Sequence, residues 1–388
     1  MTWSIVVAHA VLVQVFTYAV RPGLSYAVIE AGGSAAILGL IGTAFALPAL
    51  ALALPAGRFT DRLGERTIAL LGALLMVLSG VVALVFIDQV TGLLAAAFLL
   101  GLGHLLSVVS EQTVVANLST EGKRESAFGL YTFAASTGQA AGPLLLALPH
   151  EASLGPNLSL VFLISLSVGV LLALTSAFMK SSPSAGTTTA QAGILSTSHA
   201  LLRKRGVLRA LIAGSLALAS IDVTLAFWPA LGTERALPAV IISTMLTVRA
   251  VMTMASRAAL PLLIRTMSRK ALLSTALLVS ALGLGLTGLP VNSVLLITGA
   301  AIFGLAIGVC QPITMAWLTD VAEARHRGMA MSLRLAGNRV GQSTVPALVG
   351  VLAPATGVLG ILIATAASLT LAAGITLRSP KAASEDTT

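Results

Sequence analysis

The chain has 388 residues, of which 56% are hydrophobic and only 10% charged, and its mean hydropathy is +0.97. That leaves too little polar surface to cover a soluble globule and predicts an integral membrane protein. The formal net charge of +9 is scattered over short loops and not gathered in a patch, which excludes nucleic acid as its partner, and the single Cys310 excludes a disulfide framework and a cysteine-based metal site.

Apolar runs of about 20 residues match a bilayer-spanning helix and are about twice the length of a barrel strand. The pattern predicts spans near 4–29, 35–56, 67–87, 90–116, 125–148, 158–179, 208–231, 236–257, 271–289, 292–318, 327–352 and 355–377. The first is expected to be retained as a span, because Thr2 and Trp3 lead straight into apolar sequence without a basic n-region. Between the second and third spans, Gly57-Arg58-Phe59-Thr60-Asp61-Arg62-Leu63-Gly64-Glu65-Arg66 reads as a tight turn. A small-polar stretch, Ser181-Ser182-Pro183-Ser184-Ala185-Gly186-Thr187-Thr188-Thr189, follows the sixth span. The expected organisation is a six-helix half over 1–180, a linker over 181–207, a second six-helix half over 208–378 and a tail over 379–388.

Lys and Arg set the expected orientation. Arg58, Arg62, Arg66, Lys123, Arg124, Lys180, Arg203, Lys204, Arg205, Arg209, Arg257, Arg265, Arg269, Lys270, Arg325, Arg327, Arg378 and Lys381 fall on one side; the other has Arg235 in a loop and Arg21 in the outer part of the first span. The positive-inside rule then puts both termini and the linker in the cytoplasm, with the inner membrane as the location. The halves also repeat. An ungapped offset of 203 superposes Arg62 on Arg265, Arg66 on Arg269, Gly101 on Gly304, Arg124 on Arg327, Gly138-Gln139 on Gly341-Gln342 and Pro143 on Pro346. The fold class expected is therefore an all-α membrane protein, twelve transmembrane helices in two parallel six-helix repeats.

Spans 3, 6, 9 and 12 carry no Asp, Glu, Lys or Arg and are expected to face lipid. Embedded ionisable residues are costly and belong against a cavity or a partner helix. On span 1, Gln14, Tyr18 and Arg21 form one stripe. On span 4, His104, Ser107 and Glu111 share helical spacing, and Glu111 and His104 are candidate proton carriers, or else satisfied core groups. Asp222 on span 7, with Trp228 behind it, reads either as a proton or substrate group or as a structural partner of Arg249 or Arg339. On span 11, Arg334, Asn338 and Gln342 are four apart, with Arg339 beside them; guanidinium forks suit an anionic or zwitterionic solute, unless these arginines pair structurally.

The loop spacing Gly57, Asp61, Arg62, Gly64 and Arg66, the span count and the central linker together resemble the major facilitator superfamily over nearly the whole chain. The resemblance implies that the loop is a conformational latch. Gly138, Gly142 and Pro143 in span 5 are similar to that family's signature for proton-antiport exporters. One departure stands out: Gly101-Leu102-Gly103 lacks the arginine that precedes this pattern in the family, so proton coupling through that arginine is not carried over.

The expectation is a secondary transporter, a proton-coupled antiporter exporting a small organic solute by alternating access. The alternatives are a proton-coupled importer of an organic anion or a non-transporting membrane sensor. Its partners are the solute, protons and the bilayer, with the protein a monomer. No catalysis, cofactor or metal is expected, since neither an ATP-binding Gly-x-x-x-x-Gly-Lys loop nor a metal-ligand spacing is present.

Overall fold

A computed structural model describes residues 2–118, 124–148, 154–179, 202–203, 206–321 and 327–377. Most of the predicted linker, the tail and the side chain of Asp61 lie outside the described residues. The described chain is helical: α1 (Thr2–Glu30), α2 (Ala35–Leu63), α3 (Glu65–Val85), α4 (Val90–Leu118), α5 (Arg124–Ala141), α6 (Leu158–Phe178), α7 (Val207–Glu234), α8 (Ala239–Thr266), α9 (Arg269–Gly288), α10 (Ser293–Ile307), α11 (Cys310–Val321) and α12 (Arg327–Leu377). Among the described residues, ten stretches are long and apolar enough to cross a membrane. They include Ser293–Leu318, which runs through α10 and α11, and Ala355–Leu377, the last part of α12.

Local chemistry explains the ends and breaks. The side chains of Asn157, Ser268 and Asn292 accept from the backbone N–H groups of Leu160, Ala271 and Leu295 and cap α6, α9 and α10. The predicted ten-residue turn after span 2 is corrected: α2 runs on through Gly57 to Leu63, and the reversal is made at Gly64 alone, at φ +83°. A single glycine suffices because only it takes positive φ without strain. Gly357, at φ +62°, bends α12 where the sequence separates spans 11 and 12. After Ala141 the chain tightens into a 3-10 helix, Gly142–Ala147, since Pro143 has no N–H to continue the α ladder.

Backbone-to-backbone packing repeats along the chain. Gly101 of α4 sits against the Phe45 backbone of α2, and Gly304 of α10 against the Arg249 backbone of α8. Gly138 of α5 lies on Val11 and Gln14 of α1, and Gly341 of α12 lies on Ser215 of α7. None of these glycines has room for a Cβ, so helix axes approach as small-residue seams allow. Contacts between the first six helices and the rest repeat too. The Pro143 carbonyl accepts from Ser243 Oγ of α8 at 2.7 Å, and the Pro346 carbonyl lies on Gly39 of α2, next to Thr43 Oγ1, which donates to the Ser343 carbonyl at 2.8 Å. Large apolar side chains face outward on α3 (Leu71, Leu74, Leu78) and α6 (Leu163, Leu171, Leu174), as a lipid-facing surface requires.

Candidate functional site

The polar stripe of α1 faces the seam between the first six helices and the later ones. Arg21 Nη1 donates to Asp222 Oδ1 of α7 at 2.6 Å, with the two side chains 8% and 5% exposed. The other carboxylate oxygen, Oδ2, accepts from Gln342 Nε2 at 2.8 Å, and Gln342 Oε1 accepts from Arg339 Nη1 at 3.0 Å. One hydrogen-bonded chain, Arg21–Asp222–Gln342–Arg339, therefore ties α1, α7 and α12 together. The Arg21 guanidinium also lies 4.1 Å from the centre of the Phe45 ring, a cation–π contact. Phe45 packs on His104, whose Nε2 is 3.4 Å from Gln14 Nε2. A small cavity beside the ion pair is lined by Arg21, Ser25, Ile41, Gly42, Leu225 and Ala226.

Asp222 thus has its closest partner on α1, not in Arg249 or Arg339, the two arginines the sequence singles out. Arg339 reaches it only through Gln342. Arg249 is buried on α8 with its guanidinium 5.8 Å from the Tyr18 ring, and its Nε and Nη2 have no hydrogen-bond partner among the described residues. Two turns further on, Arg257 Nη1 donates to Ser136 Oγ of α5 at 3.2 Å. The seam therefore carries four guanidiniums: Arg21 bonds Asp222 directly, Arg339 reaches it through Gln342, Arg249 lies against Tyr18, and Arg257 is held by Ser136. Buried guanidinium N–H groups without a partner are strong donors that an acceptor would satisfy.

Toward the Gly64 end, Gln311 is a hub. Its Oε1 accepts from Arg334 Nη1 at 2.7 Å and Asn338 Nδ2 at 3.4 Å, while its Nε2 donates to the Gly214 carbonyl at 2.9 Å. Trp228 stands apart from this polar seam: its Nε1 donates to Thr287 Oγ1 at 3.3 Å and its ring meets Phe303 edge-on.

Glu111 and His104 do not meet. Glu111 is enclosed within the first six helices, where Oε1 is 2.6 Å from His9 Nδ1 and Oε2 accepts from Tyr131 OH at 2.9 Å. Ser107, between them in sequence, turns to Met76 and Gly72 of α3. The three point to different neighbours because α4 is surrounded by helices on most sides, so a shared stripe does not mean a shared pocket. Of the predicted latch, Arg62 and Arg66 are exposed; Glu65, which lies between Gly64 and Arg66 but is not one of its members, is buried and accepts from Asn117 Nδ2 at 2.8 Å. Gly138 and Gly142 lie on the α1 backbone and Pro143 reaches α8 through its carbonyl. Among the described residues, no group of three or more His, Cys, Asp or Glu could hold a metal ion.

Sequence reasoning missed His9, Gln311, Arg257 and Ser136. Arg257 had a signal, lying eight residues after Arg249 and so on the same side of its helix; His9, five residues before Gln14 and on another face, had none beyond polarity, nor had Gln311 and Ser136.

The family model described as Major Facilitator Superfamily matches residues 7–228 and 210–387. The chain belongs to the major facilitator superfamily. A curated relative, the uncharacterized MFS-type transporter YhjO of Bacillus subtilis (strain 168), is 35% identical over 94 residues, or 24% of this chain. The match spans 23% of that protein's length. Among solved structures, the nucleoside transporter NupG superposes with a TM-score of 0.80 at 12% identity, covering 96% of this chain and 98% of that one. A D-xylose-proton symporter gives 0.77 at 16%, covering 96% of each chain. The human organic anion transporter MFSD10 (TETRAN) gives 0.67 at 17%, covering 97% and 98%. At these identities the likeness shows the fold alone, which the chain shares with them.

Proposed function

We propose that this superfamily member is a proton-coupled antiporter that exports a small organic anion or zwitterion by alternating access across the cell's inner membrane. Arg21, Arg249, Arg339, Asn338, Gln342, Gln14 and Tyr18 bind the solute, Arg334 lies on its path, and Asp222 and Glu111 carry protons. The observation that carries the reading is the charge imbalance at the seam, where Asp222 is bonded by Arg21 and, through Gln342, by Arg339, while Arg249 keeps two buried nitrogens with no hydrogen-bond partner among the described residues. A carboxylate, sulfonate or phosphate would complete that set, whereas an organic cation would have to displace it.

Two six-helix repeats, the more polar α5 and the first part of α12 completing twelve spans, are supported by the paired glycine seams at Gly101 and Gly304 and at Gly138 and Gly341. With both termini cytoplasmic by the arginine distribution, the Pro143–Ser243 and Thr43–Ser343 contacts lie on the outer side and close that end. The state described is then inward-facing, and the Arg21–Asp222 pair is its floor. In this reading Gly57, Asp61, Arg62, Gly64 and Arg66 latch the opposite state, and the protein works as a monomer.

The solute class is tested by thermal unfolding of the purified protein with matched panels of organic anions, zwitterions, cations and neutral solutes. Anions or zwitterions should raise the midpoint in a concentration-dependent way, as ligands of the folded state must. Stabilisation by cations alone would sink the assignment.

A further inference from the structure

The enclosed cluster around Glu111 is separate from the seam. His9 and Glu111 are both fully buried and 2.6 Å apart; His9 Nε2 is 2.8 Å from Ser176 Oγ, which donates to the Leu172 carbonyl at 2.8 Å. Val6, Ala10, Val114, Val115 and Met179 form one buried apolar cluster with Tyr131 beside the pair. Tyr131 is the titratable group facing the pair from α5, and α6 brings only the Ser176 hydroxyl, having no charged residue. From α3 comes the Ala69 carbonyl, 3.4 Å from Ser176 Oγ, with Glu65 one turn nearer the Gly64 end and held by Asn117 of α4.

We infer that His9 and Glu111 form a single proton-carrying site inside the first six helices, physically apart from the solute site, with α1 as the link between them. The inference rests on the proton-coupled reading for its use in transport. Holding one labile proton, the pair is neutral overall, either as imidazolium with carboxylate or as imidazole with carboxylic acid. Losing that proton leaves one negative charge and gaining a second leaves one positive charge, each disfavoured in an enclosed apolar site. A change of protonation therefore requires water or a moved helix. His9 is twelve residues before Arg21 on the same helix, about 18 Å at 1.5 Å per residue, too far for direct proton transfer. A displacement of α1 that opens His9 would also bear on the Gln14, Tyr18 and Arg21 contacts at the seam. Such a site lets a proton drive the cycle without competing for the solute's own binding groups.

The test is pH-dependent labelling of the full-length protein in detergent by dicyclohexylcarbodiimide, which modifies protonated carboxyls in apolar surroundings, with Glu111 read by mass spectrometry. It needs no solute, so its failure would remove this site and leave the seam reading standing. Wild type should show Glu111 labelled at low pH and progressively protected as pH rises. His9→Gln should extend labelling to higher pH by about one unit or more, since the imidazolium that favours the carboxylate is gone. Tyr131→Phe should move the profile the same way, and Ser107→Ala, which faces α3, should leave it unchanged. A Glu111 that is never labelled in wild type, or a profile identical in wild type and His9→Gln, overturns the inference. Should His9→Gln fail to fold, Tyr131→Phe carries the test, and an unchanged profile there overturns it too.

Discussion

Replacing Asp222 with Asn is expected to reduce transport at least about 100-fold, the largest loss of any single substitution in the chain. The carboxylate takes Arg21 on one oxygen and Gln342 on the other, and through Gln342 it fixes Arg339. Its amide isostere keeps the shape and removes the only carboxylate in the network, leaving buried cationic groups uncompensated. Breaking one side of a buried ion pair costs about 3–5 kcal/mol, and roughly 3 kcal/mol is already more than a hundredfold in an equilibrium or a rate. Arg21→Gln should do comparable damage from the other side. The double variant Arg21→Gln/Asp222→Asn should fold better than either single variant, because no charge of that pair is stranded. A cycle of thermal midpoints and initial transport rates over the four proteins measures this. Additive losses in the double variant would mean that the two residues act independently.

The second large effect is expected at Arg249. Its guanidinium is buried against Tyr18 with two unpartnered nitrogens, so Arg249→Gln should weaken binding of an anionic solute by about two orders of magnitude, the range for losing one member of a buried charged contact. Arg249→Lys should recover little, since a point charge on a flexible stem does not reproduce the planar fork. Folding should suffer less than in Asp222→Asn, because among the described residues Arg249 is in no ion pair whose partner would be left as a buried charge. Direct binding measurements at fixed ionic strength check this. Unchanged affinity in Arg249→Gln would place the solute elsewhere on the seam.

Much of the architecture was legible in the sequence because the bilayer imposes it: a span needs its length of apolar residues, and ten such stretches stand as helices among the described residues. The glycine matches at an offset of 203 have a related reason, since close helix approach demands glycine, as at Gly101 and at Gly304. Partner choice was harder to read. His9 and Glu111 are 102 residues apart and Arg21 and Asp222 are 201 apart, and no local pattern reports how α1 is rotated against α4 and α7. The stripe rule grouped His104 with Glu111 because both lie on one side of α4, yet neighbouring helices divide that side between them. A basic residue beside an apolar run resembles a topology anchor, so the sequence pattern ends the eighth span at Arg257. In the structure α8 continues to Thr266, and Arg257 instead reaches Ser136 across the seam. Likewise Gly57 to Leu63 looked like a turn from its polarity, although charged residues are as readily carried on the last turns of a helix that leaves the membrane.

The central claim is antiport of a proton against an organic anion or zwitterion. Its most direct measurement is initial solute uptake into proteoliposomes of the purified protein under an imposed pH gradient, with a trapped pH-sensitive dye reporting the lumen. An acid-inside gradient should accelerate uptake of a solute found in the stabilisation panel, and each uptake should be accompanied by lumenal alkalinisation as protons leave. Acceleration by an acid-outside gradient with lumenal acidification, or uptake indifferent to the gradient, would contradict the account.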